Sequence, residues 1–397
     1  MKKRNIVDMA VGCALLAAGV WPGESARAGK PETVRNPISA IPGVDVLPTT
    51  ELWRFGEDSH GDEGIYGTVV DVAFDDGGQS VYVLVSDACH ILVFDGHGQI
   101  TRTVGTCGEG PGELSSPAGI ELVPDGIVVQ NMNMGRPLVF INRDGTQRNH
   151  SPGDAISDGW VDNLYGVEDG LWLSQTRLNR TASGFESVER IVKIGFDGDV
   201  LAEPYTSRNT AVTPDGLASG IAAWCIGSNG NIWMNTTDDT WIIQVFRPDG
   251  KPLRTIEREF HRSRYSESIR EQARANAAHS GIPFDLPEFP PVIQRLERRS
   301  DGSIWVTVAA AAESGRWNIG PLDVVSARGR VVRTIELQLP GGASPDNYWI
   351  SGNRIVCQVA PENSGGELTA PAILCLSFDP ESKGIRKESI NATREEQ

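Results

Sequence analysis

The chain has 397 residues, a formal net charge of −16 and six cysteines. That acidity excludes nucleic acid and anionic membranes as partners, because both need basic patches that displace counterions. The length would suit two domains, although all-β folds often run this long as one.

At the N-terminus, Lys2, Lys3 and Arg4 precede an apolar run, Met9–Val20, and Ala26-Arg27-Ala28 places small residues where a signal peptidase reads. Residues 1–28 are therefore expected to be a signal peptide, with the protein exported to a periplasm or beyond the cell. No later stretch is long and apolar enough to span a bilayer, so no integral membrane segment is expected after cleavage. The leader carries four Lys/Arg and two Asp/Glu, so the remainder carries −18. Residues 29–42 contain Pro, Gly and Lys and are expected to be a flexible segment. Residues 43–391 are read as one domain and 392–397 as a frayed tail.

The domain is built from a repeat. Each copy has an acidic or Gly turn, a short β-forming run, a gap, and a second apolar run ending in another turn. Gly78–Val83 with Ile91–Gly96 is the first copy. Asp125–Val129 with Leu138–Phe140, Asp169–Leu173 with Ile191–Ile194, and Asn229–Met234 with Ile242–Phe246 follow. Asp301–Val306 with Leu322–Val325 and Gly352–Val356 with Ile373–Leu376 complete six. Each copy has a preceding run such as Thr68–Phe74 and most have a following one such as Ile100–Val104, and four strands per unit make a propeller blade. The expected fold is an all-β, six-bladed β-propeller with four-stranded blades. The Asp-Gly and Asn-Gly pairs are read as tight hairpins with positive φ at their central residues. Tyr82, Trp172, Trp233 and Trp305 hold one equivalent position and are expected to pack between blades. Either Val44–Phe55 or the tail Ile385–Ile390 is expected to complete the last blade, because an open ring leaves unpaired edges.

Between the fourth and fifth copies, 260–291, the repeat is interrupted. Ser266–His279 reads as an inserted helix, with Ser268 and Glu271 as a capping box and Gly281 as the stop. It is a lid, a docking element or a packed decoration.

Two stretches carry a family resemblance: Val93-Phe94-Asp95 with Gly98 and Thr101-Arg102-Thr103-Val104-Gly105, then Gly108-Glu109-Gly110-Pro111-Gly112-Glu113-Leu114 and Ser116-Pro117-Ala118-Gly119-Ile120. The chain resembles the secreted bacterial six-bladed propellers related to NHL repeats, over Leu52 to Phe378. Ile256–Phe260 with the charged helix after it adds to the likeness. The resemblance implies the fold and leaves the function open, since relatives of this fold include both binders and enzymes.

Five cysteines follow the leader. Cys89 and Cys107 flank the turn near Gly96–Gly98, and Cys357 and Cys375 flank Gly365-Gly366. Each pair is 18 residues apart with its midpoint at the turn, and residues facing across an antiparallel hairpin share a constant index sum, which predicts two cross-strand disulfides, Cys89–Cys107 and Cys357–Cys375, with Cys225 left over.

The Asp-Gly turns gather on one face and leave little room there. The long connections gather on the other, where a site is expected. Its polar candidates for binding are His60, Asp87, Glu109, Glu113, Arg136, Asp238 and Asp239. No H-E-x-x-H, C-x-x-C pair, Walker loop or G-x-S-x-G occurs. The first functional expectation is a binding or scaffold propeller contacting a protein, peptide or glycan. The second is a metal-dependent hydrolase or lyase similar to gluconolactonase-like propellers. Calcium would be the cofactor there, and Asp87, Glu109, Asn131 and Asp238 the ligands, because calcium requires six or more oxygens. A three-histidine zinc site would draw on His60, His90 and His261 and lacks supporting motifs.

Overall fold

The computed structural model describes residues 31–37, 43–56, 67–75, 77–110, 112–124, 126–132, 137–146, 148, 156, 159–181, 184–209, 212–213, 216–217, 221, 223–280, 287–309, 318–340, 345–359, 372–382 and 384–387. The expected leader, the frayed tail, His60, Arg136 and the helix stop at Gly281 lie outside them.

Strands β1 (Glu32–Asn36) and β2 (Val44–Phe55) precede the repeats. β3 (Val69–Phe74), β4 (Val81–Val85), β5 (His90–Phe94) and β6 (Ile100–Val104) form an antiparallel sheet in chain order. β7 (Pro117–Val123), β8 (Gly126–Asn131) and β9 (Leu138–Asn142) form the next. β10 (Trp160–Val167), β11 (Gly170–Thr181), β12 (Gly184–Ile194) and β13 (Val200–Asn209) form another, followed by the short pair β14 (Val212–Thr213) and β15 (Gly216–Leu217). Then come β16 (Ala223–Ile226), β17 (Ile232–Asn235), β18 (Ile242–Phe246) and β19 (Pro252–Arg258). Helix α1 (Glu267–Ser280) separates these from β20 (Ile293–Arg298), β21 (Ile304–Val308), β22 (Asn318–Val325) and β23 (Val331–Gln338). β24 (Pro345–Ser351), β25 (Arg354–Val359), β26 (Ala372–Phe378) and β27 (Ile385–Lys387) end the described chain. The protein is all-β and propeller-like.

The turns differ from the expected type. In the turn after β5, Gly98 has φ +80° and its amide donates to Asp95 O at 3.1 Å, while Asp95 N donates to Gln99 O. This is a three-residue loop closed by one left-handed glycine. A Cβ at Gly98 would also meet Trp53 at 2.8 Å. Most later turns show why Asp or Asn precedes the glycine. Its Oδ1 accepts the amide two residues on, at Asp144–Thr146, Asp197–Asp199, Asn229–Asn231, Asp249–Lys251 and Asp301–Ser303. The acidic residue is a local cap, and only the glycine needs positive φ.

At the opposite end, the innermost strands share a second device. Pairing slips by one residue at Val69/Asp71, Pro117/Gly119, Val161/Asn163, Ile293/Arg295 and Pro345/Asn347. Each slip is a bulge that bends the strand and re-aims a side chain.

The core falls into clusters that each join two successive sheets. Tyr82 packs with Ile120, Val129 and Val139. Val128 and Phe140 pack with Leu164 and Leu173. Trp172 packs with Trp224 and Met234, Trp233 with Ile293 and Val306, and Trp305 with Ile355 and Leu374. The repeated aromatics therefore sit between sheets, as expected.

The sixth cluster returns from the last sheet to the first, and β2 makes that junction. Val356, Ile373 and Cys375 meet Val69, Val83 and Phe94 around Trp53. The first part of β2 runs parallel to β23, Asp45↔Ile335 to Pro48↔Gln338. Its second part runs antiparallel to β26, Thr49↔Phe378 to Phe55↔Ile373. The tail strand β27 only reinforces β2 at Val44–Val46.

The segment 29–42, expected to be loose, contains β1. This strand pairs in parallel with β19, with Val34 opposite Ile256, so the edge of that sheet is covered. Asn36 is buried and donates to Gly329 O at 3.1 Å, while its Oδ1 accepts Val331 N. Helix α1 has a different cap from the one expected. Ser266 Oγ accepts Ile269 N, and Ser268 lies inside the helix. Arg270 holds the returning Pro-rich segment by donating to Glu288 O at 3.0 Å.

The cysteine readings divide. Cys89 and Cys107 form a disulfide just beyond the ends of β5 and β6, with Cα atoms 4.9 Å apart. Cys357 and Cys375 do not pair, which corrects the expectation. Their hairpin aligns Val356 with Cys375 and Cys357 with Leu374. A one-residue difference in register places the two side chains on opposite faces, so Cys357 joins one core cluster and Cys375 another. Burial raises the Cys357 thiol to about 12 and the Cys375 thiol to about 11, and pushes Cys225 up as well. Thiolates are the reactive form, so these thiols should be inert in the folded protein. Titration of residues 29–397 with a thiol reagent, without reductant, should find no reactive thiol when native and three when denatured. One thiol after denaturation would restore the second disulfide.

Candidate functional site

Three of the residues expected at the site, Asp87, Glu113 and Asn131, serve the loops that hold them. Asp87 is exposed and its Oδ2 accepts Thr68 N at 2.7 Å. Glu113 Oε2 accepts Gly110 N at 2.7 Å, and a Cβ at Gly108 would overlap that carboxylate. Glu113 therefore shapes the Gly-rich loop, and Glu109 stands exposed upon it. Asn131 is buried, with its Oδ1 accepting Ser115 N at 3.3 Å. Asp238 and Asp239 are exposed, and the Asp238 carbonyl accepts Val292 N. Among the described residues, no three His, Cys, Asp or Glu side chains gather closely enough to hold a metal ion. Asp87, Glu109 and Asp238 therefore do not come together as the calcium expectation required.

Two other groups are brought together, and sequence reasoning missed both. The first is an open cavity of about 470 Å³ on the long-loop end of the β10–β12 sheet. Trp160, Thr176 and Glu189 stand opposite one another across three strands, so they share a face. Asp162 is the extra residue of the β10 bulge, and its Oδ2 accepts the Thr176 hydroxyl at 2.7 Å. The residue is exposed overall, and partial desolvation of its carboxylate raises its pKa. Asn163, Ser174 and Ile221 add to the wall. Beneath it, Gln175 is fully buried, donates to Ile156 O and accepts Arg190 Nε and Nη2. Arg190 also reaches Glu203 at 3.0 Å. This satisfied network fixes the cavity floor.

The second group runs along the innermost strands. Asp71 Oδ2 accepts Ile120 N at 2.8 Å, and Glu121 Oε1 accepts Gly166 N at 2.9 Å. Tyr165 donates its hydroxyl to Trp224 O at 2.8 Å. Arg295 donates to Tyr348 O at 2.8 Å, and the Trp349 side chain hydrogen-bonds Asp71. Between β16 and β20 the link is apolar, through Cys225, Ile293 and Leu296. Side chains of one inner strand thus grip the next.

Burial raises Asp71 from 3.8 to about 6 against the Arg295 charge, and raises Glu121 from 4.5 to about 8 with help from Asp71. The folded protein therefore holds protons that the unfolded chain has released. The stability these groups contribute is present at low pH and falls as pH rises from about 4 to about 8. Glu121→Gln keeps the acceptor for Gly166 and removes the titration. Between pH 5 and 8 its melting temperature should fall less than that of the parent protein, and equal falls would refute the assignment.

Neither a protein-family model nor a curated protein matches the sequence. Among solved structures, the chain is similar to a member of the DUF4221 family from Bacteroides vulgatus. The TM-score is 0.53 at 13% identity, over 84% of this chain and 99% of that one. A Bacteroides fragilis protein described as exported aligns with TM-score 0.48 at 13% identity, over 88% and 100% of the two chains. The calcium-binding protein regucalcin of Agrobacterium tumefaciens aligns with TM-score 0.40 at 10% identity, over 87% and 98%. At these identities the likeness is one of fold.

Proposed function

We propose that the protein is an exported six-bladed propeller, akin to the NHL-repeat propellers, that binds a protein, peptide or glycan on its long-loop face. The blade count rests on the inter-sheet clusters, the last of which returns to the first sheet through Trp53. Export is supported by the Cys89–Cys107 disulfide, since such bonds persist in oxidising compartments. The observation that carries the binding reading is the cavity beside Trp160. It has the volume of a small-molecule site, a half-exposed aromatic ring and convergent polar groups on a rigid sheet.

A thermal-shift screen of peptides, oligosaccharides and small metabolites tests this reading. Compounds that raise the melting temperature of the parent protein should leave Trp160→Ala unmoved. Trp160 is only half-buried, so the variant should fold. Compounds that stabilise both proteins equally, or a screen without any shift, would overturn the reading.

A further inference from the structure

The cavity's chemistry narrows its ligand, on the premise that it is the binding site proposed above. Three groups on its wall are open to a ligand among the described residues. The Trp160 indole N–H has no acceptor, the Asn163 side chain is exposed and has no partner, and Asp162 uses only Oδ2, for Thr176. Thr176 spends its proton on Asp162 and keeps lone pairs to offer. The open wall therefore presents donors, from Trp160 and Asn163, beside acceptors, from Asp162, Asn163 and Thr176.

Among the described residues, no Lys, Arg or His lines the cavity, and two of its lining residues, Asp162 and Glu189, are acidic. Arg190 lies beneath the floor, bound to Gln175 and Glu203. An anionic ligand would meet carboxylates with no counter-charge. A cationic ligand would use the acceptors and leave the Trp160 and Asn163 donors unpaired, at a cost once the site is covered. A hydroxyl both donates and accepts, so neighbouring hydroxyls satisfy both kinds of group. The half-exposed Trp160 ring offers an apolar face to the C–H side of such a ligand.

We infer that the cavity lined by Trp160, Asp162, Asn163 and Thr176 binds an uncharged polyhydroxylated ligand, a neutral saccharide. Asp162 and Asn163 fix its hydroxyls, and Trp160 packs against one face of the sugar ring.

Calorimetric titration tests this with three probe sets. These are neutral oligosaccharides (gluco-, manno-, xylo- and N-acetylated chito-oligomers), oligogalacturonate as the anionic set, and deacetylated chitosan oligomers as the cationic set. At least one neutral oligomer should bind, more tightly than either charged set. Asn163→Ala and Asp162→Asn should each weaken it by about tenfold or more, with the melting temperature unchanged, because both side chains are exposed. Tighter binding of a charged set, binding unaffected by both variants, or no neutral oligomer bound would each overturn the inference. If the broader screen then finds a peptide or amine that needs Trp160, the binding site stands and only the ligand class falls. If it finds none, the site falls too.

Discussion

Asp323→Ala should lower the unfolding free energy by about 3–5 kcal/mol, because it strands a buried guanidinium. Asp323 is fully buried on β22. It accepts Trp241 Nε1 at 3.0 Å and the Thr334 hydroxyl at 2.6 Å, and it pairs with Arg258. Arg258 ends β19 and Asp323 lies in the next sheet, so this ion pair ties together the two sheets from which α1 departs and to which the chain returns. Desolvation already lowers Arg258 to about 10. The double change Arg258→Met with Asp323→Leu removes both charges and should recover part of the loss, the stranded guanidinium being gone while Trp241 Nε1 and the Thr334 hydroxyl still lack their acceptor. Urea titrations of the three proteins decide it. A loss below about 1 kcal/mol for Asp323→Ala would mean that solvent reaches this network.

Trp53→Ala should cost a similar amount, about 3–5 kcal/mol, the range for deleting a buried Trp. Trp53 is 6% exposed, stacks on Phe94 with centroids 5.2 Å apart, and is the centre of the cluster joining the last sheet to the first. Its neighbour Leu52 is 43% exposed, so Leu52→Ala serves as the control, with a change within about 0.5 kcal/mol. Equal effects of the two changes would mean that β2 does not close the ring.

The fold was legible because its repeat is written in turn chemistry. Asp or Asn caps an amide, Gly takes the left-handed position, and an aromatic fills each gap between sheets. What was not legible depended on distant partners or on register. β1 is five residues in a Pro- and Gly-containing stretch, and it becomes a strand because β19 offers an edge more than two hundred residues away. Cys357 and Cys375 have the right separation and a hairpin between them, but a shift of one residue turns them to opposite faces.

The candidate site was less legible for a related reason. Asp87, Glu113 and Asn131 are polar and lie at loops. Polar residues at loops are often consumed by the loops' own amides, as these are. The more informative signal was the reverse: Asp71 and Glu121 inside apolar strands, and Asp162 at the bulge of β10. An acid in a strand interior must find a donor or hold a proton, and Asp71 and Glu121 do both.

The central claim is that a closed, propeller-like ring carries its binding site on the long-loop face, at Trp160. Hydrogen exchange with and without the best compound from the thermal screen tests it most directly. New protection should be confined to peptides covering 160–163, 174–176 and 189. Protection confined to the Asp-Gly turns at 95–99, 142–146, 195–199 and 247–251 would place binding on the opposite face and contradict the account.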